Sequence, residues 1–113
     1  MKEGNIILTA IIQADGQNKK RPALILIKLP KFGDLLICGI STKLYQYIPD
    51  FDEIIRTEDS DFIKSGLTQE SLVRLAFLSV IRKQEVIGSI GEIDIVRHHR
   101  LRSNLSNYLK PKP

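Results

Sequence analysis

Pro22-Ala23-Leu24-Ile25-Leu26-Ile27 is the stretch on which the fold turns. A strand with one wet face alternates apolar and polar residues; this run does not, so it reads as a strand covered on both faces, central in its sheet. Upstream, Gln17 to Arg21 is polar and basic and reads as a connection, preceded by the turn signal Ala14-Asp15-Gly16. Before that turn, Asn5 to Gln13 is rich in β-branched residues and gives a first strand. Downstream, Pro30-Lys31-Phe32-Gly33-Asp34 makes a second turn and Leu35 to Ser41 a third strand. The chain therefore opens as an antiparallel meander with short connections, which favours a barrel or sandwich over parallel α/β winding.

Farther on, Tyr45 to Ser65 has few apolar residues, Pro49 and scattered acids, and reads as an irregular loop with one short strand near Glu53 to Arg56. Ser71 to Phe77 reads as another strand, and Val86 to Ile90 as a short one broken by Gly88. From Ile93 to Leu109 the residues Leu101, Leu105 and Tyr108 or Leu109 recur at steps of three and four, with Arg97, Arg100 and Arg102 between them. That is the pattern of an amphipathic helix packed against the sheet. Lys110-Pro111-Lys112-Pro113 cannot extend it. The class is α+β, mainly β.

A chain of 113 residues fits one domain, 1–113, since two cores would leave each half too small to bury enough apolar surface. With 42% apolar and 27% charged residues the composition is that of a globular protein rather than a disordered or membrane one. The longest apolar stretches, Ala23 to Ile27 and Leu35 to Ile40, fall far short of the roughly 20 residues a membrane span needs. The N-terminus carries no secretory pattern, so a cytoplasmic location is expected. Cys38, the one cysteine, lies among apolar neighbours and reads as a core thiol.

Net charge is +4, unevenly placed. Lys19, Lys20, Arg21, Lys28 and Lys31 form an early basic block, and Arg97, Arg100, Arg102, Lys110 and Lys112 a late one. Between them Asp50, Asp52, Glu53, Glu58, Asp59 and Asp61 face only Arg56. A polyanion is expected to be drawn to the two ends and repelled from the middle.

Walker loops, GxGxxG, HExxH, paired CxxC and GxSxG motifs are all missing. Gly88-Ser89-Ile90-Gly91 is a GxxG tetrad that reads as a turn, because a phosphate clamp of that form needs a helix on each side. His98 and His99, adjacent on a helix, point about 100° apart and cannot share a metal; they read as solvated or stem-packed. What remains is arginine and hydroxyl chemistry, suited to phosphate esters because a guanidinium is permanently charged and bidentate. Arg21 precedes a rigid proline at a strand start, and Ser41-Thr42 ends the next strand, so a meander can bring them to one rim. Spacing alone favours an exposed strand-end charge for Arg21 and ordinary turn residues for Ser41-Thr42.

Gly4-Asn5-Ile6-Ile7, Lys20-Arg21-Pro22-Ala23-Leu24, Cys38-Gly39-Ile40-Ser41-Thr42-Lys43, Ser65-Gly66-Leu67 with Ser71-Leu72-Val73-Arg74, and Ile87-Gly88-Ser89-Ile90-Gly91-Glu92-Ile93 follow one another in an order that resembles the MazF/PemK family along nearly the whole chain. The resemblance implies an SH3-like antiparallel β-barrel with a C-terminal helix. It further implies a homodimer binding single-stranded RNA, restrained by an antitoxin protein, with no metal or other cofactor and no membrane association. By the same resemblance the protein is an endoribonuclease acting through attack of the ribose 2′-hydroxyl. Arg21, Ser41 and Arg74 match catalytic positions, and Lys19, Lys20, Thr42, Lys43 and Asp15 are the expected RNA contacts. One departure matters: where some members carry an acidic base two residues after the strand arginine, this chain has Ala76. Asp15 is then one candidate for the base and a water another. A catalytically weak or inactive barrel that binds RNA or a partner peptide is the alternative.

Overall fold

The computed structural model describes residues 1–12 and 18–113. In chain order they form β1 (Asn5–Ile12), β2 (Asn18–Lys28), β3 (Leu35–Ser41), β4 (Glu53–Ile55), α1 (Phe62–Ser65), β5 (Ser71–Ile81), β6 (Val86–Glu92) and α2 (Ile95–Leu109). The strands make one antiparallel sheet of order β4-β5-β3-β2-β1-β6. It is barrel-like without closing, since β4 and β6 form its two edges.

The doubly covered reading of β2 holds. Leu24 and Leu26 join Cys38, Ile40, Val73, Leu75 and the α2 residues Leu101 and Leu105 in one core, while Ala23 and Ile25 join Ile7, Leu35, Ile37 and Ile81 on the other face. Each such aliphatic side chain contributes about 1.5–3 kcal/mol on burial. Asp94 caps α2, its Oδ2 accepting from the Val96 N–H.

Several expectations are corrected. Asn18 to Arg21 is not a connection but the start of β2, with Lys19, Lys20 and Arg21 opposite Ile11, Ala10 and Thr9; backbone pairing with β1 holds these polar residues in a strand whatever their side chains prefer. β5 continues four residues past Phe77, to Ile81. Gly88 does not break β6, and the GxxG tetrad is strand rather than turn. The Tyr45–Ser65 loop contains, besides β4, the short helix α1. The turn at Ala14-Asp15-Gly16 lies outside the described residues.

The sheet curls where its ladders slip. Leu26 is an extra residue in β2, between the pairs Ile25↔Ile37 and Ile27↔Leu36. Its carbonyl accepts a 2.8 Å hydrogen bond from Nε2 of His98, which is buried, whereas His99 is exposed. In β5 three residues, Leu75, Ala76 and Phe77, stand between the pairs Gly39↔Arg74 and Cys38↔Leu78. Here the buried Asp52 accepts from the Leu75 N–H at 3.0 Å, and its second oxygen accepts from the Ile48 N–H. Two buried polar side chains thus satisfy backbone groups that the bulges release.

The basic C-terminal block and the acidic middle are not separate surfaces. Arg97 is buried and donates to Asp61 through Nε (2.8 Å) and Nη2, to Asp59 through Nη2 (2.9 Å), and to Glu53 and the Ile54 carbonyl through Nη1. Arg100 adds a bidentate pair to Glu53, and Arg102 pairs with Glu3. Burial alone would raise the Asp61 carboxyl, but the Arg97 hydrogen bond and charge, with the Asp94 N–H, outweigh it and hold the carboxyl below the usual range. Three acids of the block, Glu53, Asp59 and Asp61, form the socket of α2, and the expected repulsion of polyanions is neutralised in part there by Arg97 and Arg100.

Candidate functional site

β2, β3 and β5 lie side by side, and on the face opposite α2 they bring three functional side chains to one rim. Ala23 pairs with Gly39, and Gly39 with Arg74, so these three positions share a face. One pleat further along, Arg21 on β2 and Ser41 on β3 are the next positions on that face, just past the end of the β2–β3 pairing. Strands are about 4.8 Å apart, so Arg21 and Arg74 flank β3 from backbones about 10 Å from each other. Pro22 stands one residue outside the β2–β3 pairing, a place where strand proline is tolerated.

Around this rim is a cleft of about 460 Å³ lined by Arg21, Pro22, Gly39, Ile40, Ser41, Thr42, Lys43, Gln46, Leu67, Thr68, Gln69, Ser71, Arg74 and Phe77. Three cations point to one space, and among the described residues no carboxylate or imidazole lines it. Ser41 Oγ accepts from the Lys43 N–H at 3.1 Å, which fixes the Ser41–Lys43 turn and leaves the hydroxyl proton for donation. The wall formed by Leu67, Thr68 and Gln69 follows α1, whose end is pressed against β6. Gly66, at φ +74°, has no space for a Cβ beside the Ile90 carbonyl, and neither has Gly91 beside Lys64 and Ser65. The Ser65-Gly66 and Ile90-Gly91 segments are therefore one close backbone contact.

Of the expected site residues, Arg21, Ser41, Thr42, Lys43 and Arg74 meet in the cleft. Lys19 and Lys20 are exposed on β2 next to it without lining it, and Asp15 lies outside the described residues. The early basic block is divided. Arg21 and Lys28 sit at opposite ends of β2, seven residues and about 23 Å apart at the usual strand rise, so only the Lys19–Arg21 end serves the cleft. Ala76 is exposed on the β5 bulge and does not line the cleft. Gln46, Thr68, Gln69 and Phe77 are cleft residues that sequence reasoning missed. Phe77 has the signal most easily misread, an aromatic at the end of an apolar run that looks like core.

Burial pushes the Cys38 thiol far up, with the Asp52 carboxylate adding to the effect, so this cysteine is not a nucleophile. Among the described residues no helix is long and apolar enough to cross a membrane.

The model of the PemK-like, MazF-like toxins of type II toxin–antitoxin systems matches residues 2–109. No curated protein matches the chain. Among solved structures the fold is similar to the Mycobacterium tuberculosis toxin MazF-mt6, at TM-score 0.65 and 21% identity over 91% of this chain and 93% of that one. It is also similar to an endoribonuclease from a mycobacterial species in complex with its cognate antitoxin, at TM-score 0.67 and 18% identity over 100% of this chain and 99% of the other. With residues 2–109 matched by the family and the overall fold shared with both solved structures, the chain belongs to the PemK-like, MazF-like toxins of type II toxin–antitoxin systems.

Proposed function

We propose that the protein is a metal-independent endoribonuclease toxin that cleaves single-stranded RNA, mRNA included, in the cytoplasm. The observation that carries the reading is the cleft itself, which gathers Arg21, Lys43 and Arg74 beside the Ser41 hydroxyl with no described carboxylate among them. Such a cleft attracts a phosphodiester and repels cations. The ribose 2′-oxygen attacks the adjacent phosphorus, and the P–O5′ bond breaks to leave a 2′,3′-cyclic phosphate and a 5′-hydroxyl. Arg21 and Arg74 compensate the charge of the phosphorane from two sides of β3, and Ser41 donates to a non-bridging oxygen. Arg21 is also the cleft cation assigned to steady or protonate the leaving oxygen. Thr42 and the turn at Lys43 hold the neighbouring phosphate, with Lys19, two positions from Arg21 on the same face of β2, extending the basic track. Proton removal from the 2′-hydroxyl falls to a water or to Asp15.

The working unit in this reading is a homodimer, supported by apolar side chains left uncovered. Leu78 and Val80 are 41% and 56% exposed on the α2 side of the sheet, next to a groove lined by Leu26, Leu36, Leu105 and Leu109. The cognate partner is an antitoxin whose acidic segment occupies the cationic cleft. Purified protein is expected to cut single-stranded RNA in EDTA, and Arg21→Ala to abolish cutting while RNA binding survives in part. Cutting by Arg21→Ala at an unchanged rate would refute the assignment. The absence of an acid from the described cleft favours one competitor, a barrel that binds RNA without cleaving it. That outcome would appear as salt-dependent binding with intact RNA.

A further inference from the structure

Arg74 does not reach the cleft unsupported. Its guanidinium carbon lies 4.8 Å from the centre of the Phe77 ring. The ring in turn rests on Gly39: a Cβ at that position would come within 2.9 Å of Phe77 Cδ2. Phe77 reaches this seat only because β5 carries three extra residues between its pairs with Gly39 and Cys38, and Asp52, through the Leu75 N–H, holds that bulge open. Gly39, Phe77 and Arg74 form a stack on the cleft side of β3, and Phe77 is 58% exposed there rather than buried as core.

We infer that Phe77 is the positioning residue for Arg74: its ring face fixes the guanidinium plane so that the N–H edge is presented to the phosphate beside Arg21 and Ser41. An arginine on a free stem samples many rotamers, and each encounter with substrate must then order it. A guanidinium laid on an aromatic face is partly ordered beforehand, which matters more for the rate than for affinity. Gly39 is required because any side chain would displace the ring. This inference deepens the reading of the cleft as an RNA-cleaving site and rests on it for the rate effect.

The test is a double-mutant cycle with Phe77→Leu and Arg74→Ala, read as kcat and KM on a short fluorogenic single-stranded RNA, alongside the NMR signal of the Arg74 Nε–Hε group. Phe77→Leu is expected to melt close to wild type and to lower kcat roughly tenfold with little change in KM. Phe77→Tyr, which keeps the ring, is expected to restore the rate. In the Arg74→Ala background Phe77→Leu should cost less than about twofold, because the guanidinium it positions is gone. A tenfold loss in both backgrounds would overturn the inference and make Phe77 an independent contact with RNA. The wild-type Arg74 Hε should show an upfield ring-current shift that Phe77→Leu removes. If the wild-type chain leaves RNA uncut, the reading of the cleft fails, and the ring-current shift decides the positioning on its own: its presence upholds it and its absence overturns it.

Discussion

Replacing Arg97 with methionine keeps an unbranched apolar stem and removes the guanidinium and its charge from a site where the side chain is only 10% exposed. In the wild type this one guanidinium touches three carboxylates and the Ile54 carbonyl. Its main partner, Asp61, is 2% exposed, so the variant strands a buried charge whose remaining donor is the Asp94 N–H. Breaking a buried pair from one side costs about 3–5 kcal/mol, and at about 4 °C per kcal/mol for a chain of this length the melting temperature should fall by 12–20 °C. Arg100→Met is the internal control. Arg100 contacts the same Glu53 but is 53% exposed, and its loss should cost less than about 1 kcal/mol. The pH dependence adds a second check. The folded Asp61 carboxyl lies below its unfolded value, so the folded state binds fewer protons and its advantage is complete above about pH 4, the unfolded value. As pH falls further, through the folded value, that advantage is lost in the wild type, and the gap between wild type and Arg97→Met should narrow. Thermal unfolding followed by circular dichroism at pH 7 and pH 3 measures both effects. Equal losses for the two arginine variants at pH 7, or a gap that does not shrink in acid, would refute the assignment of Arg97 and Asp61 as the anchor of α2.

Asp52→Ala leaves the Leu75 and Ile48 N–H groups without their acceptor. It should cost about 2–4 kcal/mol by urea unfolding and lower RNA cleavage by loosening the bulge that carries Phe77. Cys38 should react with a thiol reagent only on unfolding, at the same rate as global opening, because burial both excludes the reagent and holds the thiol protonated. Rapid labelling of the native protein would contradict the core packing.

The centre of the fold was legible because Ala23 to Ile27 has a local cause: an unbroken apolar run needs cover on both faces, and β2 has it. The rim of the site was legible for the same reason, since antiparallel order alone brings the start of β2 beside the end of β3. What the sequence concealed depends on pairing partners rather than on a residue's own preference. Lys19 and Lys20 are in a strand because β1 pairs with them, not because of their own preference. The extension of β5 was hidden because an odd number of extra residues reverses the in–out alternation between Leu75 and Leu78, so the pattern seems to end where it merely changes phase. Arg97 looked like one more charge on a helix face. Its hint was on the other side of the pair, in six acids with one arginine among them and so little local charge to balance them.

These concealed features share a physical origin. An uninterrupted ladder would satisfy its own backbone and carry β5 past Arg74 in register, with no residue released to sit on Gly39. The bulges break that ladder at Leu26 and at Leu75–Phe77, and each break frees a backbone group that cannot stay buried unpaired. His98 supplies the donor for the first and Asp52 the acceptor for the second. One polar residue thereby ties α2 to β2, and the other ties the segment before β4 to β5. The second tie carries the consequence for function, because the residues released from the β5 ladder are those that seat Phe77 on Gly39 and bring Arg74 against it. The buried aspartate is therefore connected to the candidate site through the backbone N–H it satisfies, next to Arg74 in the chain, although it does not itself line the cleft.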